Sequence, residues 1–352
     1  MPIVSPFELE NLTFEIFKSA GASDEEAKIV AGHLVRANLA GHDSHGVIRI
    51  IQYIKNVRSG LTVPGAEFDI VKETPILAVV DGHWGFGQVV AKKSVELAVK
   101  KASENGLAAV GIRNCNHIGR LGDYTSITLE NDMIGIIVTN SRSLVAPFGG
   151  TERLISTNPI CVGIPSGRDT PFLLDMATSV HAEGKIRVRH ARNEKVPDGW
   201  LIDKDGNPTN EPADFYDGGA LLPLGGDVGY KGMGLGLLVD FLGGALTEAG
   251  CSSSKEYRTL GGSNGTFIIV INISHFTSTD DYKKRVNEVI DNIKNSKTRK
   301  NVEEILIPGE PEELNKKKRL AEGIFISETT WNSIANIARE YSLNITDWVE
   351  LE

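Results

Sequence analysis

Apolar and polar positions repeat along this chain with the period of a helix in some segments and of a strand in others. Residues 6–40 carry apolar side chains three and four positions apart, which predicts two helices. Ser23 and Glu26 have the spacing of a capping box, so we expect the second helix to begin there. Asp43 or Ser44 is a suitable N-cap for a third helix of about four turns.

Short apolar runs bounded by turn residues predict strands, and amphipathic segments between them predict more helices. The predicted strands are two within 66–82 and one each at 108–112, 133–140, 160–164, 172–175, 266–273 and 304–313. The predicted helices lie at 89–103, from 118, after 175, from about 232, at 279–296 and in the C-terminal tail. This mixture predicts an α/β protein. The turn-rich segment 191–220 predicts a long surface excursion or a subunit contact.

Composition places the chain among ordinary globular proteins. It has 352 residues, of which 41% are hydrophobic and 24% charged. The chain contains no run of eighteen apolar residues, so we predict no membrane span. The N-terminus MPIVSPFELENL has neither the basic start nor the apolar core of a signal peptide, and we therefore expect a cytoplasmic protein. Three scattered cysteines without a CxxC pair argue against a disulfide framework or a zinc ribbon.

The charge balance narrows the class of ligand. The formal net charge of −9 argues against nucleic acid as a partner, because phosphate contacts need a basic face. A site for a small anionic ligand must therefore be locally basic against the overall field.

The stretch LAAVGIRNCNHIGRLG combines features that are typical of an active site. An apolar strand ends in a polar turn that carries His117, and a glycine-containing segment follows. Strand-to-turn junctions are where α/β proteins place chemistry, and histidine can exchange a proton near neutral pH. Alternatively, His117 is a capping or structural histidine in a loop.

A second candidate lies in the predicted third helix. His45, Arg49 and Tyr53 are each four positions apart, which aligns them along one stripe of a helix rich in isoleucine. The stripe either faces solvent or lines a polar cavity where Arg49 clamps a carboxylate with its fork of donors. His42 and His45 also have the spacing of a metal pair, but no further ligand follows at metal-site spacing, so we predict no metal.

The glycine-rich segments do not match the common nucleotide fingerprints. Gly82, Gly85 and Gly87 read G-x-x-G-x-G, which is the reverse of the Rossmann order. The glycines before Lys231 lack P-loop spacing, and no Ser or Thr follows that lysine. Lys231 nevertheless adds a positive charge at a helix start, where the helix dipole favours anions.

Polar residues collect at the ends of the later predicted strands. They are Asn140, Ser141, Thr157, Asn158 and Asp175. Such a collection is typical of a ligand crevice. After Asp175 the small residues of DMATSVHAEGK would let a ligand approach backbone N–H groups at a helix start.

Together these segments resemble the malate/L-lactate dehydrogenase family, which is unrelated to the Rossmann-type enzymes of the same name and includes sulfolactate, ureidoglycolate and diketogulonate oxidoreductases. The resemblance covers nearly the whole chain. Its motifs, in order, are SHGVIR, DGHWGFGQVVA, RNCNHIGRLGDY, APFGG, TNP, LDMATS, Gly184-Lys185, PDGW, DGNPT, LLPLGG, GYKGMGLGLLVD and ILIPGE. Ser156 stands where the family usually has glycine, and the Arg/His-rich stretch 187–192 lies in a variable region. Both departures bear on cofactor or substrate detail.

The resemblance implies a mixed sheet wrapped by helices, a cofactor domain that is not Rossmann-like, and a homodimer with the site near the subunit boundary. It also implies a nicotinamide cofactor, NAD or NADP. The positions that match the family's cofactor residues are Ser141, Asp175, Met176, Ala177, Thr178, Ser179, Lys231, Pro308, Gly309 and Glu310. The positions that match its substrate site are His45, Arg49, Tyr53 and His117.

The resulting hypothesis is a dehydrogenase that interconverts a small 2-hydroxy acid and its 2-oxo acid. Arg49 would fix the carboxylate, His117 or His45 would exchange the proton, Tyr53 would orient the substrate, and Ser141 and Thr178 would hold the cofactor. We expect a helical N-terminal part (1–75), a cofactor domain (76–265) and a completing C-terminal part (266–352). A cyclic-imine or keto-sugar reductase on the same scaffold, or a non-catalytic binding protein, remains possible.

Overall fold

The computed structural model describes residues 2–254 and 263–345. The helices in this part are α1 Pro6–Ser19, α2 Asp24–Leu39, α3 Arg49–Arg58, α4 Gly87–Asn105, α5 Gly122–Glu130, α6 Glu183–Ala191, α7 Pro212–Tyr216, α8 Tyr230–Asp240, α9 Thr279–Lys294, α10 Glu310–Glu322 and α11 Glu328–Glu340. The strands are β1 Ile3–Val4, β2 Asp69–Glu73, β3 Leu77–Asp81, β4 Leu107–Arg113, β5 Met133–Thr139, β6 Ile160–Ile164, β7 Phe172–Met176, β8 Leu201–Ile202, β9 Pro208–Thr209, β10 Ala220–Leu221, β11 Thr266–Asn272 and β12 Ile324–Phe325.

A seven-stranded mixed sheet with the order β2-β3-β4-β11-β5-β6-β7 forms the centre of the molecule. Among the described strands of this sheet, β3 and β4 run parallel and every other neighbouring pair is antiparallel. A doubly wound dinucleotide fold has a mostly parallel sheet. The observed sheet therefore confirms the mixed, non-Rossmann α/β class.

The late strand β11 holds the two halves of this sheet together. Ile268 of β11 lies opposite Val110 of β4 on one side and Ile137 of β5 on the other. One face packs α4 and α5 over these strands in an apolar core that includes Val95 and Tyr124. Helix α8 and the π-helical turn Phe241–Ala245 that continues it lie against β5 and β11.

Residues from both ends of the chain share a second core. Leu12 and Phe17 of α1, Ile50 and Tyr53 of α3, and Trp331 of α11 belong to one buried cluster. Strand β1 pairs with β12, which brings the two terminal parts together. The boundaries that we expect after residues 75 and 265 remain a proposal.

The small sheet β10-β8-β9 occupies the turn-rich segment 191–220. Leu201 and Phe215 of this segment pack in a third apolar cluster with Ile186 of α6. The predicted surface excursion is thus a folded layer next to α6. Its role as a subunit contact stays a prediction.

Two predicted elements differ from the structure in this part of the fold. Helix α5 begins at Gly122 rather than at Ile118, because Ile118 N–H donates to Asn264 Oδ1 and Gly119 has a φ of +81°. No strand forms at 304–313 in the described chain. There the segment turns at 307–310, where Glu310 N–H donates to the Ile307 carbonyl, and α10 begins. The capping box of Ser23 and Glu26 is confirmed.

Candidate functional site

His117 lies in the loop after β4, where a tyrosine and a glutamine fix its ring. The Tyr53 hydroxyl is 2.6 Å from His117 Nδ1. Gln88 Nε2 donates to the same hydroxyl over 2.7 Å. Tyr53 comes from α3 and Gln88 from the first turn of α4, and both are buried. The His117 ring is therefore held at Nδ1, and the chemistry of this ring falls to Nε2.

His45 stacks on His117. The two ring centroids are 5.7 Å apart and the ring planes differ by 14°. His45 Nδ1 lies 3.1 Å from Ser44 Oγ, so this ring is also held at Nδ1. Both rings are partly buried. The two histidines that the sequence singled out thus form one stacked pair.

The expected helical stripe of His45, Arg49 and Tyr53 is only partly correct, because α3 begins at Arg49. His45 lies in a single 3₁₀ turn, Asp43–His45, that precedes the helix. Asn38 separates the two segments, since its Oδ1 accepts from Val47 N–H and its Nδ2 donates to Asp43. A Cβ at Gly46 would lie 2.1 Å from Asn38 Oδ1. His45 reaches the site through this turn instead of through a helical register.

Two glycines allow neighbouring segments to pack closely around the imidazole pair. A Cβ at Gly87 would lie 2.4 Å from the His117 carbonyl oxygen, so the start of α4 can pack directly on the His117 loop. A Cβ at Gly184 would lie 2.6 Å from Ser44 Cβ, so the start of α6 can pack directly on the 3₁₀ turn. Glycine at both positions keeps Gln88 and α6 next to the imidazole pair.

Arg49 is anchored, but part of its guanidinium has no partner among the residues that the structure describes. Its Nε donates to the Ser44 carbonyl over 2.6 Å, and its Nη1 donates to Gln52 Oε1 over 2.7 Å. Within the described chain no carboxylate forms a salt bridge with Arg49. Burial lowers its pKa, and the positive charges of Arg187 and Arg142 add to that effect. A small carboxylate is the ligand that would complete this environment.

Burial and positive neighbours make both imidazoles weak bases. Burial lowers the pKa of His117 well below its ordinary value, and the charges of Arg49 and His45 lower it further. Burial and Arg49 have the same effect on the pKa of His45. Burial raises the pKa of Tyr53 to about 12, so Tyr53 is neutral. At neutral pH the site therefore contains two neutral imidazoles beside a guanidinium, and His117 is ready to accept a proton.

A third histidine lies nearby in a different environment. His33 Nδ1 is 3.0 Å from Asp123 Oδ2, and His33 Nε2 accepts from Arg120 N–H over 3.0 Å. Arg36 donates to both oxygens of Asp123. Burial alone would raise the pKa of Asp123, but His33 and Arg36 hold it well below its usual range. This cluster ties α2 to the loop that follows His117.

The expected cofactor residues lie in two groups, and the first gathers around α8. Thr178 Oγ1 donates to the Thr157 carbonyl and would contact a Cβ at Gly236 of α8. Ser179 Oγ donates to the His181 carbonyl, and the Ser141 carbonyl accepts from Ser252 Oγ. Lys231 is exposed in the first turn of α8. The expected helix start after Asp175 is wrong, because α6 begins at Glu183 and Thr178 N–H donates to the Thr157 carbonyl.

The second group lies along β7. Asp175 accepts from Gly122 N–H over 2.8 Å and is 3.7 Å from Arg120 Nε, while Met176 ends the strand and Ala177 follows it. The Pro308 carbonyl accepts from Leu173 N–H. Glu310 accepts from Lys294 and from Ile307 N–H. Asp175 and Glu310 are thus already paired within the protein.

The donor set around α8 fits a dinucleotide. A helix N-terminus that carries a lysine provides both the dipole and the charge that a diphosphate needs. Ser156 Oγ and Asn158 Oδ1 are buried beside α8 without a hydrogen-bond partner in the described chain, and Asn158 Nδ2 donates to the Gly236 carbonyl. Lys231, Ser141 and the 156–158 segment are therefore the residues here that could hold a nicotinamide cofactor.

Several residues of the site carried no sequence signal of their own. Gln88 lies in the family motif DGHWGFGQVVA and in a segment interpreted as a glycine turn, and Ser44 begins the motif SHGVIR and was a possible cap, but neither residue was assigned a role. Arg142 was not singled out, and Arg187 was noted only as part of a variable stretch.

The described residues contain no group of three or more potential metal ligands. His42 Nε2, one member of the considered metal pair, lies 3.3 Å from Glu312 Oε1. No helix among the described residues is long and apolar enough to cross a membrane.

The chain is similar to known proteins over nearly its whole length. The profile of the malate/L-lactate dehydrogenase family matches residues 4–335. The L-sulfolactate dehydrogenase of Methanocaldococcus jannaschii is 41% identical over 99% of this chain and 100% of that protein. The malate dehydrogenase of Pyrococcus abyssi is 42% identical over 94% and 93%. The solved malate dehydrogenase of Pyrococcus horikoshii OT3 superposes with a TM-score of 0.89 at 38% identity, over 97% of this chain and 96% of that one.

Proposed function

Since the chain belongs to the malate/L-lactate dehydrogenase family, we propose that it interconverts a 2-hydroxy acid and its 2-oxo acid with NAD or NADP. The observation that carries this proposal is the contact of Tyr53 with His117, beside His45 and the unpaired part of Arg49. Oxidation of a hydroxy acid needs a fixed carboxylate and a base at the hydroxyl group. The named relatives are malate and sulfolactate dehydrogenases, which favours a malate-like or sulfolactate-like substrate.

His117 is the better candidate for the base. Its Nδ1 is within 2.6 Å of Tyr53, which Gln88 holds from the other side. In the base form Nδ1–H donates to the Tyr53 oxygen, and Nε2 accepts the hydroxyl proton of the substrate. In the reverse direction protonated Nε2 returns that proton to the oxygen of the oxo acid. Arg49 holds the carboxylate with the donors that Ser44 and Gln52 leave available.

We assign the cofactor to the residues around the start of α8. Lys231 and the first turn of that helix would bind the diphosphate, with Ser141, Thr178 and Ser179 nearby. When bound, the nicotinamide supplies hydride transfer to and from C2 of the substrate. Asp175 and Glu310 would act indirectly, by fixing Arg120 and Lys294, since both carboxylates already have protein partners.

We also propose a homodimer that uses the outer face of α8. Leu235, Leu238, Phe241 and Leu246 are exposed by 40–58% along this helix and its π-helical end. Their spacing of three to five residues places large apolar side chains on the outside, where a second copy would bury them. A second copy is the occupant we favour, because the same helix carries Lys231 and the family resemblance implies a homodimer with the site near the subunit boundary. Light scattering should give twice the chain mass, and Leu238→Asp should give the monomer.

A substrate panel tests the function. Purified protein is mixed with NADH or NADPH and with oxaloacetate, sulfopyruvate, pyruvate, a cyclic imino acid or a keto-sugar acid, and loss of reduced cofactor is followed by absorbance. We expect turnover with at least one 2-oxo acid. Turnover with only the imine or the sugar acid would replace this proposal by the reductase alternative. Cofactor binding without any turnover would identify a non-catalytic protein.

A further inference from the structure

The two stacked imidazoles belong to different parts of the fold. His45 comes just before α3, whose residue Ile50 lies in the core shared by the two ends of the chain. His117 lies between Cys115 and Ile118, which both belong to the core of the large sheet. The 5.7 Å separation of the two rings therefore depends on contacts that hold one part of the fold against the other.

Helix α10 starts from the large sheet. Just before the helix, the Pro308 carbonyl accepts from the N–H of Leu173 in β7 over 2.9 Å. The next residue, Gly309, has a φ of +102°, and a Cβ there would lie 2.9 Å from the Pro171 carbonyl oxygen. The glycine thus allows the turn before α10 to pack directly on the chain that leads into β7. The first turn of α10 is therefore fixed relative to the sheet.

One face of α10 contacts the segment that leads to His45. Glu312 Oε1 lies 3.3 Å from His42 Nε2. A Cβ at Gly41 would lie 2.8 Å from Asn315 Nδ2, so the helix and this segment are in close contact. Glu312, Asn315 and Arg319 are three and four positions apart, which places them along one face of the helix.

Arg319 makes the contact with the best geometry on this face. Its two terminal nitrogens donate to the two oxygens of Asp43, with 3.0 Å between Nη2 and Oδ2. Its Nη1 also donates to the Asn38 carbonyl over 2.6 Å, and Asn38 Nδ2 donates to Asp43 Oδ1 over 2.7 Å. A paired guanidinium and carboxylate fix direction as well as distance. The three side chains therefore determine where the 3₁₀ turn of His45 begins.

The value of this ion pair lies in position more than in stability. The side chains of Arg319 and Asp43 are 22% and 55% exposed, and ion pairs that are this exposed contribute little to the free energy of unfolding. The residue after Asp43 is Ser44, whose carbonyl anchors Arg49 Nε and whose Oγ lies 3.1 Å from His45 Nδ1. A shift of this turn would move both the guanidinium and the stacked ring.

We propose that Arg319 is a positioning residue, which acts through Asp43 to hold the turn of Ser44 and His45 beside His117. Helix α10 connects the sheet to this turn. The inference rests on the proposed function, because it takes Arg49 and His117 as the residues that contact the substrate. It adds a determinant from the C-terminal part of the chain that does not contact the substrate itself.

The experiment compares Arg319→Gln, Asp43→Asn and the double variant with wild type, and Arg319→Lys tests rescue by the charge alone. The matched control is the ion pair of Arg168 and Asp291, which joins the loop before β7 to α9. Its side chains are 32% and 55% exposed, so Arg168→Gln and Asp291→Asn remove an equivalent pair. The unfolding midpoint of every variant is measured to confirm that it is folded.

Steady-state kinetics provide the first readout. The substrate is oxaloacetate, or the fastest 2-oxo acid of the panel where oxaloacetate is not reduced, and the Kd of NADH is measured separately by fluorescence. For Arg319→Gln we expect the substrate KM to rise about tenfold, with kcat and the Kd of NADH changed less than about twofold. Arg319→Lys should recover part of this loss. The double variant with Asp43→Asn should be no worse than the worse single variant, because both changes break the same pair.

Nuclear magnetic resonance provides a readout that does not need turnover. Histidine is labelled with carbon-13 at Cε1, and the signals of His45 and His117 are identified by their loss in His45→Asn and His117→Asn. We expect the His45 signal to shift in Arg319→Gln and to return towards the wild-type position in Arg319→Lys. Arg168→Gln should leave it unchanged.

The possible outcomes separate this inference from the proposed function. An unchanged substrate KM in Arg319→Gln, an equal rise in the control variants, or additive losses in the double variant would overturn the positioning role. A rise in KM without a shift of the His45 signal would overturn it as well. If no 2-oxo acid is reduced, the dehydrogenase proposal fails and the His45 signal decides alone. A shift in Arg319→Gln but not in Arg168→Gln then supports the positioning role, and no shift overturns it.

Discussion

Two histidine clusters lie close together in this protein and have opposite electrostatic designs. His33 has a carboxylate at one ring nitrogen and a backbone donor at the other, and Arg36 completes the neutralisation of Asp123. His117 and His45 have hydroxyl partners, a guanidinium beside them and, among the described residues, no carboxylate salt bridge. The first cluster is complete without a ligand, and the second has an excess of positive charge.

This difference separates a structural histidine from a candidate catalytic one better than burial does. His33 is 1% exposed, and His45 and His117 are partly buried, so each of the three rings is at least partly shielded from solvent. What differs is whether the charges around the ring already balance. Where they balance, the side chains stabilise the fold, and where they do not, an external anion is needed. The following predictions test this contrast.

The largest effect is expected for His117→Asn. Loss of the proton acceptor should lower kcat about 10²- to 10⁴-fold, because general acid–base catalysis contributes about that much. The unfolding midpoint should change little, since Tyr53 keeps its hydrogen bond from Gln88. The pH dependence of kcat/KM should also disappear. His45→Asn serves as the control, and a larger loss of kcat in that variant would reassign the base to His45.

Asp123→Asn should instead act on stability. Removing one partner of a buried ion pair costs about 3 kcal/mol of the free energy of unfolding. Because the pKa of Asp123 is held low in the folded state, its stabilising effect is complete above about pH 4 and is lost as the pH falls through the folded pKa. Chemical denaturation at pH 7 and at acid pH should therefore show a difference from wild type that shrinks in acid. A kcat loss comparable to that of His117→Asn in the folded variant would refute the structural role.

Arg49 variants should separate the shape of the guanidinium from its charge. Arg49→Lys should raise the substrate KM about tenfold, because a point charge replaces the fork, and should leave the pKa of His117 low. Arg49→Gln should raise KM at least as much and should also raise that pKa, since the charge of Arg49 helps to lower it. In hydroxy-acid oxidation, activity falls as the pH drops through this pKa. The acid limb of kcat/KM should thus shift to higher pH in Arg49→Gln only. An unchanged KM in Arg49→Lys would contradict carboxylate binding.

Local patterns were sufficient to predict most of the fold. The capping box at Ser23 and Glu26 and the apolar runs of β3 to β7 and β11 are short-range signals, and the described structure contains these elements. The family motifs gave the mixed sheet, which strand periodicity alone does not. The boundary errors are caused by residues outside the predicted elements. Asn38 interrupts the helix before Arg49, and Asn264 captures the N–H of Ile118.

Only part of the candidate site could be predicted from the sequence, because some of its residues acquire their role through contacts with other segments. His45, Arg49, Tyr53 and His117 are chemically distinctive, so they could be chosen without coordinates. Gln88 became meaningful only because α4 packs on the His117 loop. Asp175 and Glu310 look like free carboxylates in the sequence, yet Arg120 and Lys294 lie beside them in the fold.

The position of β11 in the large sheet has a consequence for how this protein is made. Residues 266–272 lie between β4 and β5 and pair with both strands, and β4 and β5 do not pair with each other. During synthesis the ribosome must release more than three quarters of the polypeptide before the sheet can close. Until then both flanking strands expose an unpaired edge, which is the kind of surface that aggregates or recruits a chaperone. We therefore expect the large sheet to form late and cooperatively, when strand 266–272 pairs with β4 and β5.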